Sequence, residues 1–297
     1  MPKGNELWEE QTVLQLIGPR PEMDPIRHME AYAEKLLDEA HQRLLPVDVY
    51  GIASLLGIRI RIGPQPFAGR VYVDGSGSLL MDLNATDIEA RRRFTCAHEI
   101  MHTAFPGFHR DTRYRVDRSV GAQMRSRGEE EYLCDRGAAA LLMPVRNVEG
   151  LYDAGRGLGD VERLAQASQV SLEAAAIRLT TIASRPTVFV VLDWAHSPSD
   201  RPGLRRGEVR ERTLRVRYGC ASGLDLRIPR AAAAPEGSVF FVALSRRGRI
   251  RGVSKLPGLP SGPSFFVEAK AYGPLAPGDG RRILAIARRV DSGKQSI

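Results

Sequence analysis

The chain is poor in cysteine, with three in 297 residues, widely spaced. That rules out a disulfide framework and a thiolate metal cluster. No apolar stretch approaches the roughly 20 residues that a membrane span needs. Residues 1–6 are polar and lack the apolar core of a secretion signal. These absences together lead us to expect a cytoplasmic protein with no membrane partner. The remaining composition, 43% hydrophobic and 26% charged, is ordinary for a folded chain long enough for two domains. The net charge of +8 is uneven. Residues 1–150 carry 19 Lys and Arg against 22 Asp and Glu, and the remainder carries 24 against 13. A basic second half either steers an anionic partner such as nucleic acid or is a solvated surface.

Histidine is also scarce, six in all, yet two of them stand four residues apart in His98-Glu99-Ile100-Met101-His102. On a helix this spacing puts both imidazoles on one face, where they can grip one metal ion. Glu99 lies where it can act as general base toward an attacking water. The bland alternative is a helix with two unrelated histidines. Context argues against it. Thr86-Asp87-Ile88-Glu89 has the form of a capping box, and residues 88–105 contain neither Gly nor Pro until Pro106-Gly107 ends the run. Phe94, Ala97 and Met101 make an apolar stripe close to the face that holds His98 and His102.

A second helix is expected from Glu129 to Pro144. It opens on Glu129-Glu130-Glu131, and Asp135 lies one turn beyond Glu131. A hydrolytic zinc site needs a third protein ligand and a carboxylate that holds a ligand imidazole by its other nitrogen. Glu131 fits the first role and Asp135 the second. Glu129 and Glu130 read as a solvated helix start favoured by the macrodipole. Cys96 and Cys134 read as small buried hydrophobes.

The string Arg93-Phe94-Thr95-Cys96-Ala97-His98-Glu99-Ile100-Met101-His102 resembles the active-site helix of the ImmA/IrrE metallopeptidases. Glu131, Cys134-Asp135, Ala138-Ala139 and Leu141-Leu142-Met143-Pro144 resemble that family's second signature. The segment from Pro46 through Gly57-Ile58 is similar to the helix and strand that open such domains. The likeness covers roughly residues 27–150. Two departures stand out: Cys134 replaces the usual Ala, and Gly137 stands where an aromatic is common. A glycine there is expected to cost about 1 kcal/mol relative to Ala and to loosen local packing.

The expected fold is α+β. A zincin-like domain at residues 26–150 follows an N-terminal arm at 1–25 that reads as weakly structured. Within it, helices are expected at 26–44 and from Pro46 to Gly57. A strand with one buried face is expected at 58–62, and a hairpin around Asp74-Gly75-Ser76-Gly77. Residues 105–128 form a long Arg-rich loop, read either as a lid or recognition loop or as a loop without a role. It carries His109 and Tyr114, candidates for binding substrate or a developing oxyanion. Residues 151–185 hold two short helices in a helix-turn-helix-like arrangement. The second, 172–182, has Arg178 as its only cation, too few for a typical DNA reader. Residues 186–297 are expected to form a mainly β domain, with strands at 188–192, 214–218, 239–244, 265–269 and 282–287. By domain order it is likened to the GAF-like sensors of IrrE-type members, so a small-molecule ligand is expected there.

The resemblance implies a zinc-dependent endopeptidase of the gluzincin pattern. It holds one Zn2+ through His98, His102 and Glu131, with Mn2+ or Fe2+ left open by the ligand types. The implied partner is a protein substrate, a helix-turn-helix repressor cleaved to derepress stress-response or mobile-element genes. The competing reading is a metal-containing transcriptional regulator that binds DNA directly and cleaves nothing.

Overall fold

The computed structural model describes residues 8–18, 24–108, 113–115 (backbone only), 128–148, 157–246, 248–273 and 282–290. The chain forms two compact units. One comprises Met1–Tyr152 with Arg163–Ala175, the other Asp153–Glu162 with Ala176–Ile297. The structure is α+β.

The first unit begins with α1 (Gln11–Ile17), in the segment whose sequence reads as a weakly structured arm. Val13 and Ile17, one turn apart, give this helix a buried face. Helix α2 (Pro25–Glu39) starts with Asp24 as cap and Pro25 in its first turn. It buries Met29, Ala33, Leu36 and Leu37. Helix α3 (Val49–Leu55) starts three residues after Pro46, because the Asp48 carboxylate caps it by accepting from Gly51 N at 3.0 Å. Strands β1 (Arg59–Gly63), β2 (Gly69–Val73), β3 (Leu79–Asn84) and β4 (Arg113–Arg115) form a sheet in the order β1-β3-β2-β4. β1 runs parallel to β3; β2 is antiparallel to β3 and to β4. The β2–β3 hairpin turns on Asp74, whose Oδ1 accepts from the backbone of Ser76 and Ser78 at 2.9 Å, with Gly77 at φ 80°. The alternation of 58–62 does not produce a fully buried face. Ile58 is buried, but Ile62 is 55% exposed, because β1 is an edge strand paired only with β3 among the described residues.

Helix α4 (Glu89–His102) carries both motif histidines. The expected capping box does not form. Asn84 Oδ1 takes the Thr86 N–H and hydroxyl at 3.1 and 3.0 Å, while Arg92 reaches the Ala85 and Asp87 carbonyls. An Asx turn thus replaces the cap and hands β3 over to α4. The helix stops at His102, four residues before Pro106, and Thr103 Oγ1 donates to the Ile100 carbonyl at 2.6 Å. Helices α5 (Glu129–Leu142) and α6 (Val145–Val148) follow, and α5 packs against both α2 and α4.

Two glycines let α4 sit where it does. A Cβ on Gly69 would lie 2.4 Å from Thr95 Cγ2, so β2 touches the helix backbone-close. A Cβ on Gly137 would lie 2.5 Å from Met101 Sδ. Gly137 therefore brings α5 close to α4 and does not loosen the packing, contrary to expectation.

Helices α7 (Leu158–Ser168) and α8 (Leu172–Ile182) contribute residues to both units. Ser171 Oγ accepts from Ala174 N at 3.1 Å and caps α8. Gln169 takes φ 54° after α7, with Val170 N bonded to the Ala165 carbonyl, as in a Schellman stop.

The second unit holds β5 (Thr187–Ala195), α9 (Arg201–Arg205), β6 (Thr213–Ser222), α10 (Val239–Ser245), β7 (Ile250–Ser254), β8 (Phe265–Tyr272) and β9 (Arg282–Arg289). The strands make an antiparallel sheet in the order β6-β5-β9-β8-β7. Residues 239–244, expected as a strand, are helical. Val239, Phe240 and Ala243 fall on one face and join the sheet core with Val190, Phe265, Val267 and Ala285. A short apolar run does not distinguish strand from buried helix, and here packing decides. β7 escaped the sequence reading because Gly252 and polar residues dilute its alternation.

On this sheet, Glu162 accepts from Lys270 Nζ at 2.6 Å and Tyr272 Oη at 2.9 Å, and pairs with Arg249 at 2.5 Å. Burial would raise the Glu162 carboxyl. These three donors outweigh it and bring its pKa from 4.5 to about 2.

Two outcomes are expected. Gly69→Ala should destabilise the protein by about 1–3 kcal/mol through overpacking. Thr95→Ser, which removes the clashing methyl, should recover part of that loss in a double-mutant cycle read by urea denaturation. Glu162→Gln should destabilise at pH 7. The ionised carboxylate stabilises fully above about pH 4.5, and its contribution vanishes as pH falls through about 2. The stability gap between variant and wild type should close over that window.

Candidate metal centre

His98 and His102 occupy successive turns of α4, are fully buried, and stand with ring centroids 5.0 Å apart at 73°. Glu99, between them, is also fully buried. α5 supplies the carboxylates that meet them. Glu131 faces both rings at once, with Oε2 3.3 Å from His98 Nε2 and Oε1 3.3 Å from His102 Nε2. Its side chain is 31% exposed, so this edge of the site meets solvent.

The other ring nitrogens are each held by a carboxylate. Asp135 Oδ1 lies 2.9 Å from His98 Nδ1, and Glu130 Oε1 lies 2.9 Å from His102 Nδ1. A carboxylate at Nδ1 accepts its proton, which in the neutral ring leaves the Nε2 lone pair pointing at Glu131. Neither Nε2 makes a well-directed hydrogen bond, although both are buried. Two orphaned imidazole nitrogens converging on one carboxylate fit a divalent cation in both donor type and number.

Electrostatics follow the same arrangement. Burial disfavours charge on His102, but Cys134, Glu130 and Glu131 outweigh it and hold its pKa well above the usual imidazole value. Burial would raise the Glu131 carboxyl, but His102 and His98 bring it well below the usual carboxylate range. A cation entering the site must displace any proton that His102 carries, so affinity falls as the pH is lowered.

Cys134 Sγ lies 3.5 Å from His102 Nδ1, and with His98 and His102 it forms a group of donor atoms within 4.8 Å of one another. Two ligand sets are therefore conceivable around the same imidazoles. Cys134 stands at the Nδ1 edge of His102, already taken by Glu130, whereas Glu131 faces both free Nε2 atoms. Burial also raises the Cys134 thiol to about 12, which keeps it a neutral, weak ligand at pH 7. The Glu131 set is geometrically the better one.

Glu130 corrects the sequence reading. It is 6% exposed and faces His102, not solvent. Helical spacing held the signal. Glu130 and Cys134 are four apart and face His102; Glu131 and Asp135 are four apart and reach His98. Glu129 is engaged too, with backbone N–H groups near α1. His109 lies outside the described residues. So does the Tyr114 side chain, although its backbone belongs to β4 and pairs with Arg70.

Residues 53–180 match the profile of the IrrE N-terminal-like domain, a peptidase family. The chain carries an IrrE N-terminal-like domain. This IrrE-like segment contains every residue of the centre described above. The radiation response metalloprotease IrrE of Deinococcus deserti is 28% identical over 161 residues, which is 53% of this chain and 54% of that protein. The chain thus matches about half the length of that curated relative. A solved structure described as a Mycobacterium tuberculosis transcriptional regulator superposes with a TM-score of 0.54 at 17% identity. It covers 93% of this chain and 79% of that one. That likeness is one of fold.

Glu130→Gln and Asp135→Asn should each weaken zinc affinity by about 10–100-fold, the usual effect of losing a carboxylate behind a ligand histidine. Competition with a chromogenic chelator measures this. Unchanged affinity in Glu130→Gln would remove Glu130 from the centre.

Proposed function

We propose that this chain is a zinc-dependent, site-specific endopeptidase that cleaves a helix-turn-helix transcriptional repressor and so derepresses stress-response or mobile-element genes. The observation that carries the reading is the convergence of His98 Nε2, His102 Nε2 and the Glu131 carboxylate, with a carboxylate behind each ring. His98, His102 and Glu131 would hold the ion. Nitrogen and oxygen donors suit zinc and also admit manganese or iron. Such an ion supplies Lewis acidity, polarising a scissile carbonyl and acidifying water. Glu99, one residue from His98 and buried with it, takes the proton of the attacking water and delivers it to the leaving amine. Asp135 and Glu130 fix the tautomer and tilt of the two imidazoles.

The repressor as substrate rests on the family resemblance. So does ligand sensing by residues 186–297, which further draws only on domain order, a weak warrant. A cytoplasmic setting belongs to the same reading; no described helix is long and apolar enough to cross a membrane. The DNA-binding alternative gains no comparable support, since Arg178, the only cation of α8, is 2% exposed.

The zinc-loaded protein, incubated with a helix-turn-helix repressor encoded beside its gene, should cut it at one bond, located by mass spectrometry. Glu99→Gln should keep zinc yet slow cleavage by at least roughly 100-fold. Glu131→Ala should lose zinc. Cleavage at the wild-type rate by Glu99→Gln would overturn the general-base assignment.

A further inference from the structure

Helix α5 begins without a cap of its own. Its N-cap residue is Gly128, which has no side chain to offer the free N–H groups of the first turn. The carboxylate of Glu10, 118 residues earlier, does this work. Its Oε1 accepts from Glu129 N at 2.8 Å and its Oε2 from Glu130 N at 2.9 Å. The exchange is mutual. Glu129 Oε1 and Oε2 accept from Glu9 N at 2.9 and 2.8 Å, and Oε2 also accepts from Glu10 N at 2.8 Å. Gly128 makes room for it: a Cβ there would lie 2.6 Å from Glu10 Oε1. The position combines φ 83° with ψ 157°, a conformation reserved for glycine, so the tight approach and the backbone shape come together.

The turn that Glu10 caps is the turn that carries Glu130 and Glu131. Four acidic side chains, Glu10, Glu129, Glu130 and Glu131, crowd one helix end, where the dipole and charge-assisted N–H bonds offset their repulsion. Without Glu10 the amides of Glu129 and Glu130 lose their partner, and helix ends fray when uncapped. Fraying here would release the residue behind His102 and the residue that faces both Nε2 atoms.

We propose that Glu10 is a positioning residue for the metal centre: the segment leading into α1 caps α5 from a distance and thereby holds Glu130 and Glu131 at the imidazoles. This rests on the zinc-site reading given above. It assigns the N-terminal segment a part in ion retention, so that displacing the Glu10 carboxylate from α5 would lower the ion affinity.

The test compares wild type, Glu10→Ala and Glu10→Gln in the full chain. Amide hydrogen exchange in the ion-free protein and zinc affinity by chelator competition are the two readouts. Glu10→Ala should lose at least roughly tenfold protection at the amides of residues 129–132, while the α2 amides of residues 29–37 keep theirs. Its zinc affinity should fall by about tenfold, within the range seen when ligand support is lost. Glu10→Gln, which keeps one accepting oxygen, should recover most of both. A fold-wide loss of stability would lower protection in α2 as well and would overturn the local role, as would wild-type exchange and affinity in Glu10→Ala. If wild type itself fails to bind zinc while the exchange pattern is as expected, the capping stands and the zinc reading falls.

Discussion

A buried imidazole cannot orient itself. His98 and His102 are fully excluded from solvent, and their tautomers are fixed by carboxylates that belong to another helix. The pairing of α4 with α5 is therefore the constraint on which the rest of the first unit depends. Gly137 sets the depth of that contact, Gly69 sets α4 against β2, and the acidic start of α5 brings its charge to the rings. A rotation of α5 by one residue, about 100° for an α-helix, would exchange Glu130 for Glu131 at the imidazoles and disconnect both. Register along this helix matters more to the site than any single contact in the sheet.

The grouping of the candidate site residues is largely legible in the sequence. The four-residue spacing of His98 and His102 identifies a shared face, and the same spacing of Glu131 and Asp135 identifies the face that answers it. Glu130 was misread because an acidic helix start has a sufficient local explanation in the macrodipole, and a local explanation conceals a tertiary one. The same happened with Gly137. Helix propensity counts a glycine as a loss, whereas contact with Met101 makes its missing Cβ useful.

Errors in the fold have a similar origin. Residues 239–244 have strand-like composition, and α10 forms because its apolar face has a sheet to lie on. The start of α4 shows the reverse, a sequence with the letters of a capping box in which Asn84 captures Thr86 first. The approach to α1 has a partner that its neighbouring residues do not reveal: Glu129, more than a hundred positions away, accepts from the Glu9 and Glu10 amides just before the helix.

The centre is lopsided with respect to solvent. Both imidazoles and Glu99 are sealed, and Glu131 alone among the three proposed ligands keeps 31% of its side chain in contact with water. Among the described residues, an ion held by these three side chains would therefore lie nearest to water on its oxygen side, and a chelator would compete for it there before it reached the nitrogens.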